Sequence, residues 1–178
     1  MPLLDNIKIP KERIAVVIGK NGSVKKKIEE YTNMRLEVDS ETGQVFFEPK
    51  GKTQGDFLSA ANIVKAIGRG FSPENAFLLL DGECFLQIID ITEFGKTKKR
   101  MASKRSRVIG TEGRIRERIE EETGTKISVF GKTISIIGKV ENTEIAKKAV
   151  EMILEGARHA TIFDFIKENS LEERKFEL

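Results

Sequence analysis

The chain has 178 residues, 39% hydrophobic and 33% charged, with a net charge of +3 and a pI near 8.9. That length holds one large domain or two small ones with modest cores. One cysteine, Cys84, excludes an intrachain disulfide and a thiolate metal cage, and no apolar run is long enough to cross a bilayer. Nothing at the N-terminus reads as a signal peptide, so a reducing, cytoplasmic setting is expected, with Cys84 as a buried, inert thiol.

Residues 3–9 alternate weakly and predict a short strand. Pro10 stands at the first-turn position that proline favours and opens a helix over 11–18. Gly19 to Gly22 breaks it. A second helix follows over 23–31, with Val24, Ile28 and Tyr31 on one face and Ser23 as its expected cap. Strands are expected over 34–38 and 45–48, joined by a turn at 40–43, and a helix over 56–67 ends at Gly68. Ser72-Pro73-Glu74 starts a short helix by cap-then-proline chemistry.

A boundary is expected at Asp81-Gly82, dividing the chain into domains 1–81 and 82–178. The second half opens on an apolar strand over 84–91. A basic segment over 96–107 leads into a helix, a turn at Gly110 to Gly113, and a helix over 114–123. Strands at 126–129 and 133–137 follow, joined through Phe130-Gly131-Lys132. The last helix of the unit is capped by Asn142 or Thr143, with Ile145, Ala149, Met152 and Ile153 inward. Residues 161–166 form an apolar helical extension, and the charged end is expected to fray.

The two halves repeat. Val17-Ile18-Gly19-Lys20-Asn21-Gly22 recurs 91 residues on as Val108-Ile109-Gly110-Thr111-Glu112-Gly113. The same offset pairs Ile28-Glu29-Glu30 with Ile119-Glu120-Glu121, Thr32 with Thr123, Leu36 with Ile127 and Val38 with Val129. A lone Gly-x-x-Gly is weak evidence. Here, twice, Val-Ile precedes it and a helix with an apolar stripe follows. Glycines at both corners let the chain turn sharply and let another backbone approach closely, and helix-start N–H groups then face that backbone.

Charge order sharpens the reading. Helices favour acids early and bases late. Both copies reverse this, with Lys25, Lys26 and Lys27 before Glu29 and Glu30, and Arg114, Arg116 and Arg118 before Glu120, Glu121 and Glu122. An anion held at the turn explains a rule broken twice in one place. The bland reading is a solvated face laced by pairs such as Lys25–Glu29 and Arg116–Glu120.

The pattern Val-Ile-Gly-x-x-Gly-x-(Val/Ile)-basic-x-basic-Ile-Glu-x-x-Thr resembles the core of the KH domain, here in tandem over about 3–68 and 84–157. The segment Ile67-Gly68-Arg69-Gly70-Phe71-Ser72-Pro73-Glu74-Asn75-Ala76 resembles the archaeal KH proteins related to the ribosome-assembly factor Partner of Nob One. The resemblance implies an α+β fold of two type I KH domains (β-α-α-β-β-α), each a three-stranded antiparallel sheet with helices on one face, the second carrying a C-terminal helical extension. It implies a single-stranded RNA-binding protein that clamps about four nucleotides beside each turn.

Carried onto this chain, Gly19, Lys20, Asn21 and Gly22, with Ser23, Lys25 and Lys26, would grip phosphates. So would Arg107, Gly110, Thr111, Glu112, Gly113, Arg114 and Arg116. The groove floors would be Ile14, Val17, Ile18, Ile28, Leu36 and Val38, and Val108, Ile109, Ile119, Ile127 and Val129, all of which also read as ordinary core. The resemblance further implies small-subunit ribosomal RNA processing at the 3′ region of that RNA, with a Nob-type endonuclease and translation initiation proteins as partners. The second loop departs from the pattern. Glu112 stands where the family carries a base, and a carboxylate beside phosphate needs an offset from Arg114, Arg116 or the bases at 98–107.

Rival readings are a protein-interaction adaptor on KH scaffolds, which a degenerate turn favours, and a non-catalytic subunit of an RNA-degrading complex. Gly19-Lys20-Asn21-Gly22-Ser23 lacks P-loop spacing. His159 is the lone histidine and reads as helix surface or cap. No nucleophile–base–orienter cluster, metal set or cofactor motif emerges, and no enzymatic activity is expected. Ile162, Phe163, Phe165 and Ile166 read as core shared across the two units, or else as a docking surface.

Overall fold

The computed structural model describes residues 5–176, with side chains through 170. The first residues of the expected opening strand, 3 and 4, and the chain's last two residues lie outside them. Contacts divide the chain into two compact units, Met1–Gly82 and Glu83–Leu178.

In the first unit the order is β1 (Asn6–Lys8), α1 (Lys11–Ile18), α2 (Ser23–Thr32), β2 (Met34–Val38), β3 (Gln44–Pro49) and α3 (Phe57–Gly68), followed by the short α4 (Pro73–Ala76) and a 3-10 turn over Phe77–Leu80. The sheet is antiparallel with order β1-β3-β2, so β2 is an edge. Alternation decides its faces. Met34 and Leu36 are buried under the helices, while Arg35 and Glu37 are exposed on the other side. Asp56 caps α3 by accepting from the Ser59 N–H at 3.0 Å, and Ser72 caps α4 from the Asn75 N–H at 3.3 Å with Pro73 at the first position.

The second unit runs β4 (Cys84–Asp90), α5 (Lys98–Ile109), α6 (Arg114–Thr123), β5 (Lys126–Phe130), β6 (Thr133–Lys139), α7 (Val140–Glu155) and α8 (His159–Phe176). Its sheet order, β4-β6-β5, repeats the first. Both units are therefore β-α-α-β-β-α, the fold expected. Leu36 pairs with Phe47 but Ile127 pairs with Ile136, so the second hairpin is two residues shorter. Ile127, Ile134 and Ile136 of the sheet meet Val108, Ile119, Val150, Ile153 and Leu154 of the helices. Each such side chain, wholly buried, contributes on the order of 1.5–3 kcal/mol.

Four local expectations are corrected. Ser23 lies inside α2; the cap position falls on Gly22, whose left-handed φ of 73° leaves no side chain to cap with. α7 starts at Val140, ahead of Asn142 and Thr143. Thr143 is buried, and its hydroxyl donates to the Val140 carbonyl at 2.9 Å. Cys84 is half-buried rather than buried. Ile162, Phe163 and Ile166 pack into the second unit's own core, against α6 and α7. α8 extends past them to Phe176, because an apolar face already docked carries the following turns with it.

Candidate nucleic-acid interface

Each Gly-x-x-Gly segment is a 3-10 turn linking two helices, Lys20–Gly22 in one unit and Thr111–Gly113 in the other. Gly19 (φ 73°, ψ 173°) and Gly110 (φ 73°, ψ 177°) occupy a backbone region open essentially to glycine alone. Space forbids a side chain as well. A Cβ on Gly19 would lie 2.5 Å from the Val24 Cγ2, and one on Gly110 would lie 2.4 Å from the Ile115 Cγ1. The first glycine thus sets both the turn and the helix packing, whereas a Cβ on Gly22 would meet nothing within 4 Å. Between them, Asn21 (φ 55°) and Glu112 (φ 54°) are left-handed. Asparagine tolerates that conformation; glutamate is held there at a cost of about 1–2 kcal/mol. Lys20, Asn21, Thr111 and Glu112 are exposed, so both turns present their tips to solvent.

Around the first turn the positive charge is uncommitted. Lys20, Lys25, Lys26 and Lys27 form no ion pair among the described residues. At the β2 edge a cavity of about 420 Å³ lies over the outer face of the sheet, where Arg35, Glu37, Phe46 and Glu48 project away from the helices, with Leu36 and Lys25 of α2 completing its lining. Around the second turn the bases on α6 are matched by acids. Arg114 meets Glu112 at 3.0 Å, Arg116 meets Glu120 at 3.1 Å and Glu117 at 3.8 Å, and Arg118 meets Glu122 at 2.7 Å while its guanidinium lies 3.6 Å from the Phe163 ring centroid. Arg114 is thus the offset that the Glu112 carboxylate required.

The floor residues sort by burial. Ile14, Val17, Ile28 and Leu36, with Val108, Ile119 and Ile127, are buried and belong to the cores; Val17 and Val108 are 0% exposed and offer RNA no surface. Ile18, Val38, Ile109 and Val129 are half-buried and remain available beside the turns. Arg107 is also reassigned. Its guanidinium donates to the carbonyls of Ile153 (2.9 Å) and Ala157 (2.6 Å), closing the C-terminal end of α7, where unpaired carbonyls and the helix dipole favour a cation.

Two repeated interactions escaped sequence reasoning. Glu29 accepts from the Leu36 N–H at 2.8 Å, and Glu120 accepts from the Ile127 N–H at 2.7 Å. Each half-buried carboxylate satisfies an N–H on the outer edge of its sheet. This gives the late acid a structural task, so the reversed charge order does not by itself call for a bound anion. The second is a cation from the unit's first helix on the end of the helix that follows its third strand, α3 or α7. Arg13 donates to the carbonyls of Ile67 and Phe71, both at 2.8 Å, and Lys104 donates to that of Leu154. Burial lowers the Arg13 guanidinium below its ordinary value, and neighbouring Glu12 acts the other way. The side chains of both pairs, Glu29 with Glu120 and Arg13 with Lys104, obey the 91-residue offset, which was the available signal. The Thr of the repeated motif is explained too: Thr32 and Thr123 donate to the Ile28 and Ile119 carbonyls, each at 2.6 Å.

With this geometry in hand, comparison with known proteins is specific. The model of the KH domain matches residues 5–55, and that of the eukaryotic type (type I) KH domain, in the form found second in PNO1 proteins, matches residues 85–171. A KH domain-containing protein of Methanocaldococcus jannaschii is 41% identical over 98% of this chain and 78% of its own. A pre-rRNA-processing protein, PNO1 of Chaetomium thermophilum, is 27% identical over 60% of this chain, and the match spans 42% of that longer protein. The structure of the a/eIF2alpha-aDim2p-rRNA complex from Pyrococcus horikoshii contains a chain 42% identical, with a TM-score of 0.89 over 94% of each chain. No helix among the described residues is long and apolar enough to cross a membrane.

Proposed function

This chain belongs to the tandem KH proteins of the PNO1 and Dim2 kind, and from that membership we propose that it is a single-stranded RNA-binding factor of ribosome biogenesis, acting on small-subunit ribosomal RNA near its 3′ region. The carrying observation is the first turn. An exposed Lys20-Asn21 tip, held by a glycine that nothing else can replace, stands with Lys25, Lys26 and Lys27, which form no ion pair among the described residues, and with the half-buried Ile18 and Val38. Phosphate gripping at the turn supplies affinity and register, and base edges read beside Ile18 and Val38 supply choice of sequence. Two linked units on one strand raise affinity further by effective concentration.

On this reading the protein acts by binding and carries out no reaction of its own. An initiation-factor α subunit, present with rRNA in the solved relative, is one proposed partner, and a Nob-type endonuclease is a second. The cytoplasm is the proposed compartment.

Replacing Lys20 and Asn21 together by Asp tests the reading. Asp tolerates the left-handed backbone at position 21, so the fold should survive. Affinity for a 3′ small-subunit rRNA fragment should fall at least about tenfold, since a charge-assisted phosphate contact is worth roughly 1.5–3 kcal/mol. Unchanged affinity would remove the first turn from the site.

A further inference from the structure

The two units keep their positive charge on different flanks. α6 has its arginines matched by Glu112, Glu117, Glu120 and Glu122. α5 has six bases and no acid. Lys104, Arg105 and Arg107 are fixed by carbonyl oxygens of Leu154, Gly131, Ile153 and Ala157, not by carboxylates, and so keep their full charge. Lys98, Lys99 and Arg100 are exposed and form no ion pair among the described residues.

A cavity of about 480 Å³ lies where α5, the second turn and the start of α8 meet, lined by Ser106, Arg107, Thr111, Arg114, Ile115 and His159 among others. That volume is within the roughly 300–1,000 Å³ of small-ligand pockets. Its first-unit counterparts at the 91-residue offset are Ala15, Val16, Lys20, Ser23 and Val24, and the position of His159 falls on Gly68, which has no side chain. The imidazole is fixed, its Nε2 3.0 Å from the Arg107 carbonyl oxygen, and it shares the cavity lining with the aliphatic Ile115. Ser106 donates its hydroxyl to the Ala102 carbonyl at 3.0 Å, which leaves its oxygen to accept from a ribose 2′-OH.

Resting on the RNA-binding reading above, we propose that the second unit holds RNA on both flanks of its turn: one nucleotide beyond the groove's own stretch enters the α5–α8 cavity, and the phosphodiester backbone continues toward the exposed bases Lys98, Lys99 and Arg100 at the start of α5.

Affinity of the full chain for a four-nucleotide RNA, and for the same RNA lengthened by four nucleotides at either end, tests this. Lengthening at one end should tighten wild-type binding about tenfold or more. K98E/K99E, on an exposed helix face, and H159A, in the cavity, should lose that gain while binding the four-nucleotide RNA as wild type does. The slope of log affinity on log salt for the long RNA should fall by about 0.7 for each phosphate that K98E/K99E no longer neutralises. Equal binding of wild type and K98E/K99E at both lengths, or equal weakening at both, overturns the second flank and leaves the RNA reading standing. Absence of wild-type binding at either length sinks the RNA reading itself.

Discussion

The two units share a scaffold and differ in electrostatics. Both place a glycine where a Cβ would strike the following helix, tie the edge strand to α2 or α6 through a glutamate, and close α3 or α7 with a cation. They diverge in what the turn shows to solvent. The first offers Lys20-Asn21 and lysines with no ion pair among the described residues, and the second offers Thr111-Glu112 with a matched arginine. Side chains that hold backbone groups leave little room for substitution, because an unmet buried N–H or carbonyl is costly. Surface charges are individually worth little to stability and are free to be reassigned between flanks.

If that division is right, scaffold substitutions should cost the two units alike. Gly19→Ala and Gly110→Ala carry the largest expected effect. Each combines a glycine-only backbone region, about 1–3 kcal/mol, with overpacking of similar size, so a loss of roughly 3 kcal/mol is expected by chemical denaturation. Gly22→Ala should cost about 1–2 kcal/mol, for its left-handed φ alone. Equal destabilisation at Gly19 and Gly22 would break the claim that the first glycine also serves packing. Next come Glu29→Ala and Glu120→Ala, each stranding a strand N–H at about 1–3 kcal/mol. Destabilisation in only one unit would show that the repeated hydrogen bond is not a shared device. Faster amide exchange confined to Leu36 or Ile127 would locate the effect.

Much of this was legible in the residues. The repeat, the glycine corners and the strand alternation gave the element order of both units, because these patterns depend on neighbours in sequence. The hidden parts depend on neighbours in space. Arg107 reads as one more base in a basic run, yet Ile153 and Ala157, far along the chain, decide its task. Glu29 reads as half of an i,i+4 pair with Lys25, but the edge of β2 claims it first. Ser23 and Asn142 read as caps because a cap is named by residue type, whereas the helix start is fixed by where the preceding glycine or strand ends.

The smallest effect bears most directly on the contrast between the turns. Glu112→Asn converts the second tip toward the first. It removes an unfavourable left-handed glutamate and should stabilise the unit by about 0.5–1 kcal/mol, part of the penalty for that backbone. Losing the exposed pair with Arg114 offsets little of this, since both groups are well solvated. It also removes a negative charge near the phosphate path. At a distance of about 6 Å in water that repulsion is roughly 0.7 kcal/mol, or about threefold in affinity. Titrating a single-stranded rRNA fragment at low and moderate salt should show the gain shrinking as salt rises, because the interaction is exposed and screened. The reverse change, Asn21→Glu, should weaken binding and lower stability by matching amounts. Should Glu112→Asn stabilise the fold while leaving RNA affinity untouched at low salt, the second turn stands away from phosphate, and the charge on α5 would be the second unit's sole electrostatic hold on the strand.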